Sequence, residues 1–207
     1  MTRPSLDRRH LIAALLATGT VLLLPRAANA APADPMSPEA VLFDPEIPVL
    51  GNPKGDVTIA EFFDYQCPYC KKAHPDVARL VREDGNIRHV MKDWPVFGPA
   101  SVLAARLTLA AGKHYAKVQA ALMATPGHLT PDQVEDILAR AGFDVAALRK
   151  AYEADRARIE GILKRNNQQA EGFGLMGTPA YLVGTVLFPG VVAPADMKRA
   201  VAAARTR

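Results

Sequence analysis

Val57-Thr58-Ile59-Ala60-Glu61-Phe62-Phe63-Asp64-Tyr65-Gln66-Cys67-Pro68-Tyr69-Cys70-Lys71 decides how this chain is read. The first eight residues are β-favouring and almost continuously apolar, the pattern of a strand covered on both faces. Cys67 follows at the expected start of a helix, and Pro68 suits the first helical turn, where a missing N–H costs nothing. Cys67 and Cys70 are the only two cysteines of the 207 residues. Any intramolecular disulfide is therefore this one. A bridge across three residues closes a tiny loop and removes little unfolded-state entropy, so a structural staple is a poor explanation. A dithiol at a strand–helix junction that opens and closes is the better one.

Outward from this segment the pattern alternates. The helix carries Val77, Leu80 and Val81 on one face, has Pro75 within it, and ends at Gly85-Asn86. Ile87 to Trp94 is expected to be a second strand, stopped by Pro95, which makes a βαβ unit. Helical patterns follow over Ala100–Ala111 and His114–Ala124. Thr130-Pro131-Asp132-Gln133 is a capping box ahead of Val134, Ile137, Leu138 and Ala141. Asp144 is expected to cap one longer helix running toward Ala170. Gly172 to Gly177 breaks it. Ala180–Gly184 and Thr185–Phe188 read as a hairpin, and Pro194–Ala204 as a last helix.

The N-terminal part is different. Arg3, Arg8 and Arg9 precede an apolar run, Leu11 to Leu24, and a small-x-small site at Ala28-Asn29-Ala30. That is the form of a cleaved export signal, and the run is shorter than the roughly 20 residues of a membrane span. Arg8-Arg9 leaves both the Sec and the twin-arginine routes open. This segment holds four of the 25 Lys and Arg residues (the fourth is Arg26) and one of the 21 acids, Asp7. The remainder is near neutral, which argues against a nucleic-acid partner. The expected organisation is a signal peptide over 1–30 and a proline-rich arm without much regular structure over 31–53. A βαβ half over 54–98, a helical block over 99–172 and a ββα half over 173–207 follow.

The chemistry expected of the pair follows from position. A helix N-terminus offers partial positive charge and free N–H groups, which favour a thiolate. Cys67 stands there and is the expected nucleophile; Cys70, one turn on, is the expected resolving thiol. Glu61 lies within an apolar strand, where an unpartnered carboxylate is costly. It is either a buried acid or a residue at an exposed edge, paired for example with Lys92. His74 reads as a surface histidine. Thr178-Pro179, taken alone, is an ordinary turn before a strand.

The segment Phe62 to Lys71, with Val49-Leu50-Gly51-Asn52-Pro53 upstream and Gly177-Thr178-Pro179-Ala180 downstream, resembles DsbA-like thiol–disulfide oxidoreductases of the thioredoxin superfamily. It is most similar to their ScsC-like branch. The resemblance implies an α/β thioredoxin fold with an inserted helical subdomain. It implies a cis-proline at Pro179 facing the dithiol, and a place for Thr178 beside the sulfurs. It implies that Glu61 is the buried acid that helps move the proton of the resolving cysteine. The resemblance also implies a periplasmic enzyme that needs no metal or organic cofactor. Its partners would be cysteine-containing exported proteins and a redox partner that resets the dithiol, whether free or held in a membrane. The dipeptide Pro68-Tyr69 departs from the Pro-His of DsbA; Tyr69 carries no positive charge, so a less acidic Cys67 is expected. The short arm argues for a monomer. A second function is open at this stage: the same thiols, with His74, as a Cu(I) site in copper tolerance.

Overall fold

The computed structural model describes residues 34–206, so the expected signal segment, 1–30, lies outside the described residues. Strands β1 (Val49–Gly51), β2 (Val57–Phe63), β3 (Ile87–Asp93), β4 (Ala180–Val183) and β5 (Val186–Pro189) form one sheet in the order β1-β3-β2-β4-β5. β2 and β3 run parallel; the other neighbours are antiparallel. Helix α2 (Pro68–Asp84) makes the crossover between β2 and β3. This is the βαβ unit expected, and every residue of β2 is buried, as its unbroken apolar run requires.

One face of the sheet carries Val57, Ile59, Ile87, Tyr181 and Val183. These pack on Val77, Leu80 and Val81 of α2 and on Met197 and Val201 of the last helix, α8 (Pro194–Ala204). On the other face Ala60, Val90 and Leu182 meet Val41, Leu42 and Ile47 of the arm and the helical insertion. Phe62 adds edge-on contacts to Trp94 and Phe173, with ring centroids 6.3 and 6.2 Å apart. Gly184-Thr185 closes the β4–β5 hairpin, with Gly184 at φ 58°.

The insertion contains α3 (Pro99–Ala110), a single 3-10 turn, α4 (Tyr115–Met123), α5 (Pro131–Arg140), α6 (Val145–Ala154) and α7 (Arg156–Gly172). The capping box is present at α5: Thr130 Oγ1 accepts from Gln133 N, and the Gln133 side chain accepts from Thr130 N. The one long helix expected from Asp144 to Ala170 is instead two. Asp155 leaves the helical region (φ −123°, ψ 21°) and turns the chain between a helix that buries only Leu148 and one that buries Ile159, Ile162, Leu163 and Asn166. Two different partners require two different directions, and a continuous helix supplies one.

The arm is also more ordered than its prolines suggest. Ser37 caps α1 (Pro38–Leu42) through its hydroxyl. Val49 to Gly51 then pair with Val90 to Arg88 and cover the open edge of β3. The arm thus belongs to the sheet: an edge strand needs only short unbroken backbone, and Pro48 contributes a carbonyl that accepts from Met91 N. Among the described residues no helix is long and apolar enough to cross a membrane.

Gly51 sits at φ +70°, and a Cβ there would lie 2.5 Å from the Ile87 carbonyl oxygen and 2.6 Å from Val81 Cγ1. Gly51→Ala is expected to lower stability by about 1–3 kcal/mol. Urea unfolding of the reduced protein checks this, and an unchanged midpoint would show that β1 is dispensable.

Candidate active site

Cys67 is the N-cap of α2, as position alone predicted, and its sulfur accepts from Cys70 N at 3.2 Å. Pro68 takes the first helical position, where no N–H is wanted. Both cysteines are free thiols and buried. Across from them, the Thr178–Pro179 peptide bond is cis. The Thr178 carbonyl oxygen accepts from the Cys67 thiol at 3.2 Å. Thr178 and Pro179, an ordinary turn by local sequence, thus stand against the nucleophile, 111 residues along the chain from it.

The two thiols are pushed apart in acidity. The Cys70 thiol hydrogen-bonded to its sulfur, helped by the Thr178 side chain and the Cys70 and Tyr69 N–H groups, lowers the Cys67 pKa to about 6 against the effect of burial. Burial, and then the hydrogen bond it gives to Cys67, push the Cys70 thiol far above the ordinary value. Tyr69 is 62% exposed and contributes no charge. The acidity of Cys67 comes from the helix end and its partner thiol, without the cation of a Pro-His site.

Asp64 holds the loop that presents Cys67. It is fully buried and accepts from Gln66 N (2.6 Å), Val96 N (2.6 Å), Phe97 N (3.0 Å) and Ser101 Oγ (2.6 Å). Gln66 extends the clamp: its amide donates to Phe97 O and accepts from Leu129 N. Tyr65 is tied deeper, donating to Asp93 Oδ1 at 2.8 Å, while Tyr115 of α4 donates to Asp93 Oδ2 at 2.7 Å. Burial raises the Asp93 carboxyl to about pKa 7. Local sequence did not single out either acid, because apart from the Gln66 N–H two residues after Asp64 their partners lie at least 22 residues away.

Glu61 is buried, and its Oε2 lies 2.8 Å from His89 Nε2. The exposed-edge reading and the Lys92 pairing are both corrected. In the β2–β3 register Lys92 is opposite Phe62, one residue along, so its side chain takes the other face of the sheet. Lys92 is itself buried, which drops its pKa to about 7, with the charge of Asp44 opposing the shift and that of Arg165 adding to it. His89 was not singled out by sequence; a histidine alternating with apolar strand residues was the available sign. His74 is half-buried rather than a surface residue: Gln119 Nε2 lies 3.5 Å from its Nδ1, and burial lowers its pKa. Among the described residues no group of three or more His, Cys, Asp or Glu is placed to hold a metal ion.

Residues 58–202, most of the chain and including all of this site, match the DSBA-like thioredoxin domain. The chain belongs to that family. Its DsbA-like fold is shared with a thioredoxin-like oxidoreductase from Silicibacter pomeroyi DSS-3, which is 38% identical with a TM-score of 0.78 over 83% of this chain and 99% of that one. The thiol-disulfide exchange protein alpha-DsbA2 from Wolbachia pipientis is 26% identical, with a TM-score of 0.74 over 80% of this chain and 90% of that one. The catalytic domain of ScsC from Proteus mirabilis has the same fold at 21% identity and a TM-score of 0.69, over 82% of this chain and 94% of that one. Among curated relatives, the Na(+)/H(+) antiporter NhaA 1 of Salinispora arenicola is 31% identical over 139 residues, 65% of this chain. The chain spans about a fifth (21%) of that relative's length. The DsbA-like domain thus has a thioredoxin fold, with its helical subdomain inserted between β3 and β4.

Beside the dithiol of this DsbA-like domain runs a groove of about 490 Å³ between α2 and α8, lined by Tyr69, Ala73, Val77, Val191, Val192 and Met197. Several exposed apolar side chains belong to the segments that build the site: Tyr69 between the cysteines, Val96 and Phe97 on the loop held by Asp64, Val191 in the groove with Tyr69, and Met176, two residues before Thr178 and 99% exposed.

The lowered Cys67 pKa has a defined stability signature. Relative to an unfolded thiol near 9, the folded site favours the thiolate, so this stabilisation is full above pH 9 and lost as pH falls through about 6. The raised Cys70 pKa acts only above 9, so of the two thiols only Cys67 acts between 6 and 9, and comparison with a variant of Cys67 cancels the other buried groups. The stability difference between reduced wild type and Cys67→Ala should therefore grow from pH 6 to pH 9. Thiolate absorbance near 240 nm should titrate with a midpoint at about pH 6; a midpoint above 8 would contradict the assignment.

Proposed function

We propose that this protein is an exported thiol–disulfide oxidoreductase that acts on cysteine-containing proteins through the Cys67-Pro68-Tyr69-Cys70 dithiol. The observation that carries the reading is the opposite tuning of two thiols one helical turn apart, one at the helix end and lowered, one buried and raised. In the oxidising direction a substrate thiolate attacks the Cys67 sulfur of the disulfide, Cys70 leaves, and the substrate's second thiol displaces Cys67. In the reducing or isomerising direction the Cys67 thiolate attacks a substrate disulfide, and Cys70 then displaces the substrate. A stabilised Cys67 thiolate is a good leaving group, which favours the reduced protein and so the donation of disulfides.

Thr178 and the cis-Pro179 supply the wall against which a substrate strand would lie, and the exposed apolar rim suits unfolded polypeptide rather than a folded surface. Export to the periplasm is supported by the basic, apolar and small-residue order of the first thirty residues. A redox partner is required to restore the starting state after each turnover, whichever direction dominates.

Cys67 near pKa 6 lies between the values of about 7 for thioredoxin and about 3.5 for DsbA. The reduction potential is accordingly expected above the roughly −270 mV of thioredoxin and below the roughly −120 mV of DsbA. Equilibration of the mature protein with glutathione buffers measures it. A value near about −270 mV would identify a reductant and overturn the donor reading.

A further inference from the structure

The residues that flank the dithiol on either side both reach the same piece of chain. Gln66, just before Cys67, accepts from Leu129 N at 3.0 Å. Lys71, just after Cys70, donates from Nζ to Thr125 Oγ1 at 3.1 Å and to the Gly127 carbonyl oxygen at 3.0 Å. Thr125, Gly127 and Leu129 lie in the 124–130 loop that joins α4 to α5 in the helical insertion. Cys67, Lys71 and His74 follow the i, i+4, i+7 spacing of one helix face. His74 meets Gln119 of α4 on that side. Tyr69, by contrast, lines the groove toward α8.

A lysine on a helix surface ordinarily keeps its ammonium in water. Lys71 instead is half-buried, and burial lowers its pKa against the charges of Asp64 and Cys67. What it holds is a loop with two different sides. Leu129 packs inward on the core, while Pro126, Gly127 and His128 are exposed. Among the described residues the N–H groups of Gly127 and His128 donate to nothing. Exposed backbone donors suit the carbonyls of an extended polypeptide, the chemistry by which one strand is recognised along another. We propose that the 124–130 loop is the second wall of the cleft in which a polypeptide substrate lies, opposite the α8 groove, and that Lys71 is the positioning residue that holds this wall beside the dithiol. The inference rests on the oxidoreductase reading. Lys71 acts in it through the loop and bonds to neither sulfur nor substrate.

The test mixes the oxidised protein in a stopped-flow instrument with a neutral fluorescent peptide that carries two thiols, and separately with dithiothreitol. Lys71→Met should raise the half-saturating peptide concentration at least about fivefold, the worth of one hydrogen bond, while the limiting rate stays within about twofold. Dithiothreitol is too small to touch the loop, so its rate reports any direct effect of the lysine charge on the sulfurs. The loss with the peptide should exceed the loss with dithiothreitol by the same factor. Lys71→Arg keeps the cation and its donors and should recover most of the peptide binding. An unchanged half-saturation, or equal losses with peptide and dithiothreitol, would overturn the assignment. Should Lys71→Met fail to fold, Cys70→Ala carrying the peptide on Cys67 as a mixed disulfide decides. Amide exchange at Gly127 and His128 should slow in that complex, and exchange at the unliganded rate refutes the wall. Failure of the parent reading looks different, because the wild type itself would then leave the peptide dithiol unoxidised.

Discussion

The site turns on one constraint: Cys67 stands as a helix cap, with its sulfur accepting from the backbone N–H of Cys70. That place is usually taken by an oxygen-bearing side chain. A sulfur there meets donors that the helix cannot satisfy itself, and the charge that suits those donors is negative. The fold is arranged to keep the cap in place. β2 is buried along its whole length and delivers the chain to a fixed point. Asp64 then clamps the loop with four accepted hydrogen bonds before the cap is reached.

The same geometry separates the duties of the two thiols. Cys67 gains from the helix end and from its neighbour; Cys70 gains little and loses water. The asymmetry does not need a charged residue between the cysteines. Tyr69 instead offers an exposed aromatic surface continuous with the apolar groove toward α8. On the proposed reading, recognition and thiolate stabilisation are carried by different groups, and a change at position 69 would alter the first without dismantling the second.

Much of this was legible in the sequence, wherever the signal is local. The apolar run of β2, the capping box at Thr130, the two-residue turn at Gly184-Thr185 and the cap at Cys67 each depend on a few neighbouring residues. What was not legible depends on distant partners. β1 is a strand only because β3 has an open edge for it. The turn at Asp155 is set by what the two flanking helices bury. His89 gains meaning only from Glu61, 28 residues earlier, and Asp93 only from two tyrosines on separate elements. The cis bond before Pro179 was implied by resemblance alone, since nothing in the local residues distinguishes it from an ordinary turn.

The insertion between β3 and β4 has a consequence for the order in which the site is made. Synthesis runs from the N-terminus, so the cysteine pair is complete long before Thr178, 111 residues behind Cys67, has been added. β2, α2 and β3 can associate early, because their contacts are short in sequence. The thiol of Cys67 then has its helix end but no opposing carbonyl, and β2 has one empty flank where β4 will pair. The nascent protein is therefore a reactive thiol on an unfinished sheet. Five helices must fold in the interval, and their closure is what brings the last strand home.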